Sequence, residues 1–381
     1  MKKLFYISIL GLIFFEIITV YFIMPMPGSQ EMRSIDIAFF LHTWRWLFRI
    51  GLGLLAAFAF FKTTWKRQWI PLSILGVLGF VAYQVNFKMA ADTMFYQPTQ
   101  VLMKNHLENK VDPTRLIVGV ARNGAAKAYP IQFIGYHHQV IDTLAGQPIM
   151  VTYCTVCRSA RVYEPTVNGK NEAFRLVGMD HFNAMFEDKT TGSWWRQATG
   201  EAITGKLKST LLPEVPCVQM ALNQWFALHP NSLVMQPDPN FQVQYDSMSV
   251  YETKGKSDLT RTDSLSWNRK SWVVGIKIKE KTKAFDWNRL KNEGIINDFV
   301  GQTPIVLALA SDKKSFVAFE RPSVSTVFTI KNDTLINGNF AYDLNGQMRK
   351  MQGVQSNLKP VNAYQEFWHS WQTFNAQTDK Y

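Results

Sequence analysis

Cysteine is scarce in this 381-residue chain, and the absences around its three copies exclude more than the copies themselves assert. Cys154 and Cys157 form a Cys-x-x-Cys, but Arg158 follows the second sulfur where c-type haem attachment needs histidine. No second Cys or His pair stands at comparable spacing, so a four-ligand zinc site is incomplete. The sequence also lacks G-x-x-x-x-G-K-[ST], G-x-S-x-G and H-E-x-x-H, which removes the common phosphate-loop, serine-hydrolase and zinc-protease readings. Acidic residues are in deficit, with a formal net charge of +12. Residues 1–88 hold nine Lys and Arg against three Asp and Glu, so half of the excess sits there. The remainder is spread thinly, without a run of basic and stacking aromatic residues, and nucleic acid is excluded as the expected partner.

The first ninety residues are mostly apolar. Runs at 4–24, 44–61 and 69–87 are about as long as the ~20 helical residues that cross a hydrocarbon core, and predict a three-helix transmembrane anchor over residues 1–90. No small-residue cleavage site follows the first run, which favours a retained anchor over a signal peptide. Lys2, Lys3, Lys62, Lys66 and Arg67 mark the cytoplasmic side. Three spans then put the N-terminus inside and the large C-terminal domain outside. Glu16 interrupts the first run, and Arg45 and Arg49 in the second can snorkel or pair with it.

After a linker over 91–114, short β-branched and aromatic runs are broken by Gly, Pro, Asn and Asp, the signature of a β-rich domain with some helix. Sliding the chain by 156 residues pairs Val118-Gly119 with Val274-Gly275, Lys127-Ala128 with Lys283-Ala284, Asp142 with Asp298, Pro148-Ile149 with Pro304-Ile305, and Ser159 with Ser315. Residues 115–164 give nine identities in fifty pairs, and a looser echo pairs Trp225 with Trp371. Such self-similarity predicts an internal duplication: lobe 1 at 115–230, a connector at 231–270, and lobe 2 at 271–381, sharing one continuous core.

The Cys-x-x-Cys belongs to lobe 1 alone; Ala310 and Lys313 occupy its places in lobe 2. Whatever is confined to one copy is the better candidate for function. Two thiols at this spacing can close a disulfide, grip a soft metal or cycle between thiol and disulfide. The residues after Cys157 read as strand, unlike the helix that follows a thioredoxin cysteine. For metal, copper or zinc would be held by Cys154 and Cys157 with His137, His138, His181 or Met185 as further candidate ligands. An oxidising compartment favours the disulfide.

A second constellation runs from Asp188 through Thr191, Gly192, Ser193, Trp195 and Gln197. Asp and Gly bound a hairpin turn, and strand alternation would place Ser193, Trp195 and Gln197 on one face as a pocket wall beside Asp188. The equally weighted structural alternative has Asp188 capping its own turn and a tryptophan packing inward.

Tyr153-Cys154-x-x-Cys157-x-Ser159-Ala160, followed by Asp188-x-x-Thr191-Gly192-Ser193-x-Trp195-x-Gln197-x-x-Gly200-Glu201-Ala202-Ile203-x-Gly205, resembles the bacterial domain of unknown function 3179 over about residues 115–376. The resemblance implies a bacterial source and transfers no activity; together with the three spans the expectation is a bacterial cytoplasmic-membrane protein with an extracytoplasmic domain. Thr155-Val156 departs from the Pro-Leu expected between the cysteines, and Phe186 stands where Met is frequent; were that Met a metal ligand, this chain would lack it or use Met185 instead. Three functions follow for the cysteine site: a soft-metal-binding or redox module, a thiol–disulfide oxidoreductase, or a structural or interaction domain with a fixed disulfide.

Overall fold

The apolar runs fold as helices. In the computed structural model, which describes residues 1–255, 257–350 and 356–381, α1 is Lys2–Tyr21, α2 Ile35–Thr43, α3 Arg45–Phe61 and α4 Trp69–Tyr83, the last extended by a π turn to Lys88. Lys2–Tyr21 and Trp69–Lys88 are long and apolar enough to cross a membrane, and the pair α2 and α3, bent by 59°, makes a third if counted as one span. The helices contribute to one of two compact units, made of Met1–Tyr96, Glu172–Arg196 and Glu201–Leu211. In it, α1, α3 and the π turn are tied together at Glu16. Arg49 donates to both carboxylate oxygens, at 2.7 and 2.8 Å, and Asn86 Nδ2 donates to one of them at 2.8 Å. A charge within an apolar helix is tolerated when it is paired and hydrogen-bonded in this way. The same unit holds a three-stranded antiparallel sheet of Phe174–Asp180, Asn183–Asp188 and Trp194–Arg196. Phe22, Ala38, Val177, Met185, Trp194 and Ile203 form the cluster that joins it to the helical segments.

The second unit comprises Gln97–Asn171, Gln197–Gly200 and Leu212–Tyr381. The segment 172–211 of the expected lobe 1 is thus shared between the units. Strands of alternating or continuous apolar residues alternate with two short helical turns in a fixed order. The first series is β1 (Leu116–Arg122), β2 (Ala125–Pro130), α5 (Ile131–His137), β3 (Gln139–Leu144), β4 (Gln147–Cys154) and β5 (Ser159–Tyr163), completed by β6 (Val218–Ala221), α6 (Leu222–Leu228) and β7 (Leu233–Met235). The second series is β8 (Trp272–Ile278), β9 (Lys281–Asp286), α7 (Trp287–Glu293), β10 (Ile295–Val300), β11 (Thr303–Leu309) and β12 (Phe316–Glu320), completed by β13 (Ala363–Phe367), α8 (Trp368–Phe374) and β14 (Asp379–Lys380). In both, the first strand pairs antiparallel with the second and with the late strand, and the final strand lies parallel to the second.

Local contacts match as well. Trp225 lies flat on Gly119 and Trp371 on Gly275; a Cβ at either glycine would sit 2.4 or 2.2 Å from the indole, so the ring requires the missing side chain. Each indole N–H donates to a hydroxyl seven residues later, Ser232 at 2.6 Å and Thr378 at 2.9 Å. Lys127 pairs with Asp142 at 2.8 Å and Lys283 with Asp298 at 2.6 Å. One buried cluster draws Val118, Val151 and Trp225 from the first series and Val306, Val317 and Phe319 from the second. At their junction Gln219 Nε2 donates to Gln365 Oε1 at 2.7 Å.

Candidate functional site

The cysteines occupy a tight turn. Because Cys154 pairs with Ser159 across β4 and β5, Thr155–Arg158 is a four-residue connection, and Arg158 closes it with a left-handed φ of 53°. As the run after Cys157 foretold, the chain continues as a strand. Three carbonyls of this turn find donors far away in sequence. Tyr251 Oη donates to Thr155 O at 2.8 Å, Lys270 Nζ to Val156 O at 3.3 Å, and Phe367 N to Cys157 O at 2.9 Å. The last contact has its counterpart in the other series, where Ala221 N donates to Ser315 Oγ at 2.9 Å. Each series therefore rests the end of its late strand on the other's turn.

Both cysteines are buried to 0 % exposure and are present as thiols within hydrogen-bonding reach of each other. Burial pushes the Cys157 thiol well above its ordinary pKa, the neighbouring Cys154 thiol adds to this, and the Ser370 hydroxyl works the other way. The neutral thiol is the resting form. Two cations stand by: Arg158 donates to the carbonyls of Tyr251 and Glu252 and stacks over the Tyr251 and Trp272 rings at 4.3 and 5.1 Å. Lys270 has a lowered pKa because it is buried, with the two thiols opposing that shift. From lobe 2, Glu366 pairs with Arg161 at 2.7 Å and accepts from Ser370 Oγ at 2.5 Å. His369 is held neutral, its pKa lowered to about 3 by burial and then by Lys270.

The sequence singled out none of Tyr251, Lys270, Glu366, His369 and Ser370. A signal existed for the last three: the echo of Trp225 in Trp371 places 366–370 at the same strand–helix junction as Met220–Gln224, where Glu366 replaces an apolar residue.

The candidate ligands are used otherwise. His137 Nε2 bonds to Tyr245 Oη at 2.6 Å, and His138 Nδ1 bonds to Tyr153 O at 2.9 Å, with burial lowering the His138 pKa to about 4. His181 Nδ1 pairs with Asp180 at 2.5 Å, and Met185 packs in the apolar cluster with Trp194, both in the unit that does not hold the cysteines. Among the described residues no group of three or more His, Cys, Asp or Glu is placed to hold a metal ion. Cys217 lines a separate cavity of about 280 Å³ with Trp225 and Phe319, its thiol pushed up to about 12 by burial and then by Glu214.

At the second constellation, the Asp188 carboxylate accepts from Thr191 N at 2.5 Å, Thr191 Oγ1 at 2.8 Å, Ser193 N at 3.1 Å and Trp195 Nε1 at 2.9 Å. Ser193 Oγ accepts from Leu207 N at 3.1 Å. These polar atoms build the turn they sit in, with Trp195 buried at 1 % exposure. Gln197 serves elsewhere. Its Nε2 donates to Thr152 Oγ1 at 3.1 Å and Ser159 O at 3.2 Å, and its Oε1 accepts from Ser159 Oγ at 3.0 Å. It therefore clamps the two strands that carry the cysteine turn.

The family described as "Protein of unknown function (DUF3179)" matches residues 97–378, and the chain belongs to that family. No solved structure matches it.

Proposed function

Because the family's description assigns no activity, we propose from the site itself that Cys154 and Cys157 are a two-electron dithiol–disulfide couple on the extracytoplasmic face of a membrane-anchored protein. The observation that carries this is the pair of thiols in mutual contact inside a turn, fully buried, where neutral forms are favoured. Both the dithiol and the disulfide are neutral. With a small disulfide as oxidant, one thiolate attacks a sulfur of that reagent and forms a mixed disulfide. The second thiol then displaces it, so that one Cys154–Cys157 bond forms, two thiols of the reagent are released and electrons balance. The electrostatic interaction of Lys270 with both thiols supports its stabilising the transient thiolate. Complete burial counts against attack on bulky protein disulfides and so against a general oxidoreductase; a fixed structural disulfide would show no reversible titration.

The scaffold in this reading is an internal duplication, supported by the matched series and their paired Gly–Trp and Lys–Asp contacts. The anchor is three spans in a bacterial cytoplasmic membrane with the N-terminus inside. It is supported by α4, whose apolar surface is almost wholly outward, with Leu72 57 % and Phe80 64 % exposed.

A second reading is copper(I) held by the two thiolates alone. Lys270 favours it, since it would offset part of the negative charge of a bis-thiolate complex. A thiol count with elemental analysis on the full chain in detergent separates the two. The redox reading expects two thiols lost together on treatment with oxidised glutathione and no stoichiometric metal. Copper that copurifies and is lost in Cys154→Ser would replace it with the metal reading.

A further inference from the structure

A cavity of about 480 Å³ lies within the first unit, lined by Arg45, Arg49, Asn86, Asp92, Arg175 and Glu187 among others. Its charges are mostly paired. Arg49 is engaged by Glu16 at 2.7 Å, and Arg175 bridges Asp92 at 3.0 Å and Glu187 at 2.7 Å. His42 Nε2 lies 3.2 Å from Glu187 as well. Arg45 differs: it donates to His42 O at 2.5 Å and, among the described residues, forms no ion pair. Glu187 is fully engaged, its Oε1 by Arg175 and its Oε2 by Trp194 Nε1 at 2.9 Å and by His42, so the cavity presents a cation with spare donors at Arg45 and a carboxylate with a spare oxygen at Asp92. A simple anion would meet Glu187 and Asp92, and a simple cation would meet Arg45. A ligand carrying both signs satisfies both.

The flanking residues place this cavity at headgroup level. Trp44 and Trp46, on either side of Arg45 in sequence, are 51 % and 61 % exposed, and Tyr83 near the end of α4 is 50 % exposed. Tryptophan and tyrosine collect where hydrocarbon gives way to headgroups. We propose that the cavity binds the phosphoethanolamine headgroup of a zwitterionic phospholipid, the phosphate on Arg45 and the ammonium on Asp92. An ammonium with three N–H donors can serve this carboxylate directly, which a trimethylated one cannot. This inference rests on the membrane reading of α1–α4 and is independent of the thiol chemistry.

The test begins with carbonate extraction of membranes containing the full chain; release into the soluble fraction would sink the anchor reading and this proposal with it. Protein kept in the membrane is then delipidated in detergent and incubated with phosphatidylethanolamine, phosphatidylglycerol or soluble phosphoethanolamine, and adducts are read by native mass spectrometry. The expected result is preferential retention of phosphatidylethanolamine, reduced about tenfold in Arg45→Gln by loss of a charge-assisted contact, and unchanged in Lys62→Gln. Equal retention of both lipids, or indifference to Arg45→Gln, overturns the proposal while leaving the anchor intact. Soluble phosphoethanolamine binding as tightly as the lipid overturns the lipid as source.

Discussion

The turn at Cys154–Ser159 and the turn at Ala310–Ser315 occupy the same place in two matching series, yet they are stabilised in opposite ways. The second is capped largely from within: Asp312 Oδ1 accepts from Lys314 N and Ser315 N, each at 2.8 Å, while Asp333 from outside the turn accepts from Ser311 N at 2.7 Å, and Ser311, Lys313 and Lys314 are exposed. The first is held from outside. Its carbonyls are met by Tyr251, Lys270 and Phe367, and all of its residues but Thr155 are buried. A turn that satisfies its own backbone must spend its side chains on doing so. One that is satisfied from outside can carry apolar and reactive groups, here two thiols. The same contrast holds at the junctions resting on these turns, where apolar Met220 in one series corresponds to Glu366 in the other.

The largest effect expected from breaking this asymmetry is at that glutamate. Glu366→Ala leaves Arg161 charged, buried and without its 2.7 Å partner, and should cost about 3–5 kcal/mol in thermal unfolding of the full chain. Replacement of Met220 by Leu, a volume-conserving change at the corresponding position, should cost less than about 1.5 kcal/mol.

Next in size is a pH effect from buried histidines, His369 in the second series and His138 in the first. Burial lowers the His138 pKa from 6.5 to about 4, so the unfolded chain binds more protons than the folded one between those values. Stability from this group is complete above pH 6.5 and is lost as pH falls toward 4, by about 3 kcal/mol in all. Melting temperatures measured from pH 7 to 4 should fall, and the slope should flatten in His138→Asn, which keeps a side chain able to adopt the left-handed φ of 60° found there.

Smaller still are changes to the turns themselves. Asp312→Ala removes the self-capping acceptor and Tyr251→Phe removes the remote donor, each at about 1 kcal/mol. Only Tyr251→Phe should speed alkylation of Cys157 in the folded protein; equal acceleration by both would erase the distinction drawn between the turns. Least of all, Lys127→Met and Lys283→Met should cost about 1 kcal/mol or less apiece, and by similar amounts if the two ion pairs are counterparts.

The parts of this molecule legible in its sequence are those whose partners lie at short, fixed spacing. Gly119 with Trp225 and Gly275 with Trp371 are visible because one series echoes the other, and the cysteine pair because four residues contain it. The pairing of Glu16 with Arg49 was open to inference because an unpaired charge in an apolar helix is costly. Tyr251 and Lys270 were invisible for the opposite reason, and Glu366 and Ser370 could be reached only through the looser echo that pairs Trp225 with Trp371. All four reach the cysteine turn from some hundred to two hundred residues downstream, through an exchange of strand ends between series that no local pattern encodes. Gln197 shows the limit of strand alternation: the strand ends at Arg196, so the face shared by Ser193 and Trp195 does not extend to it.

A redox titration of the full chain in detergent, followed by alkylation and intact mass measurement, tests the central claim most directly. The account predicts that Cys154 and Cys157 gain and lose their alkyl groups together along a two-electron curve of about 30 mV per tenfold change in the equilibrium constant. The transition should vanish in Cys154→Ser and persist in Cys217→Ala. Two thiols that stay alkylatable after unfolding at every potential, or a disulfide that never opens, would contradict it.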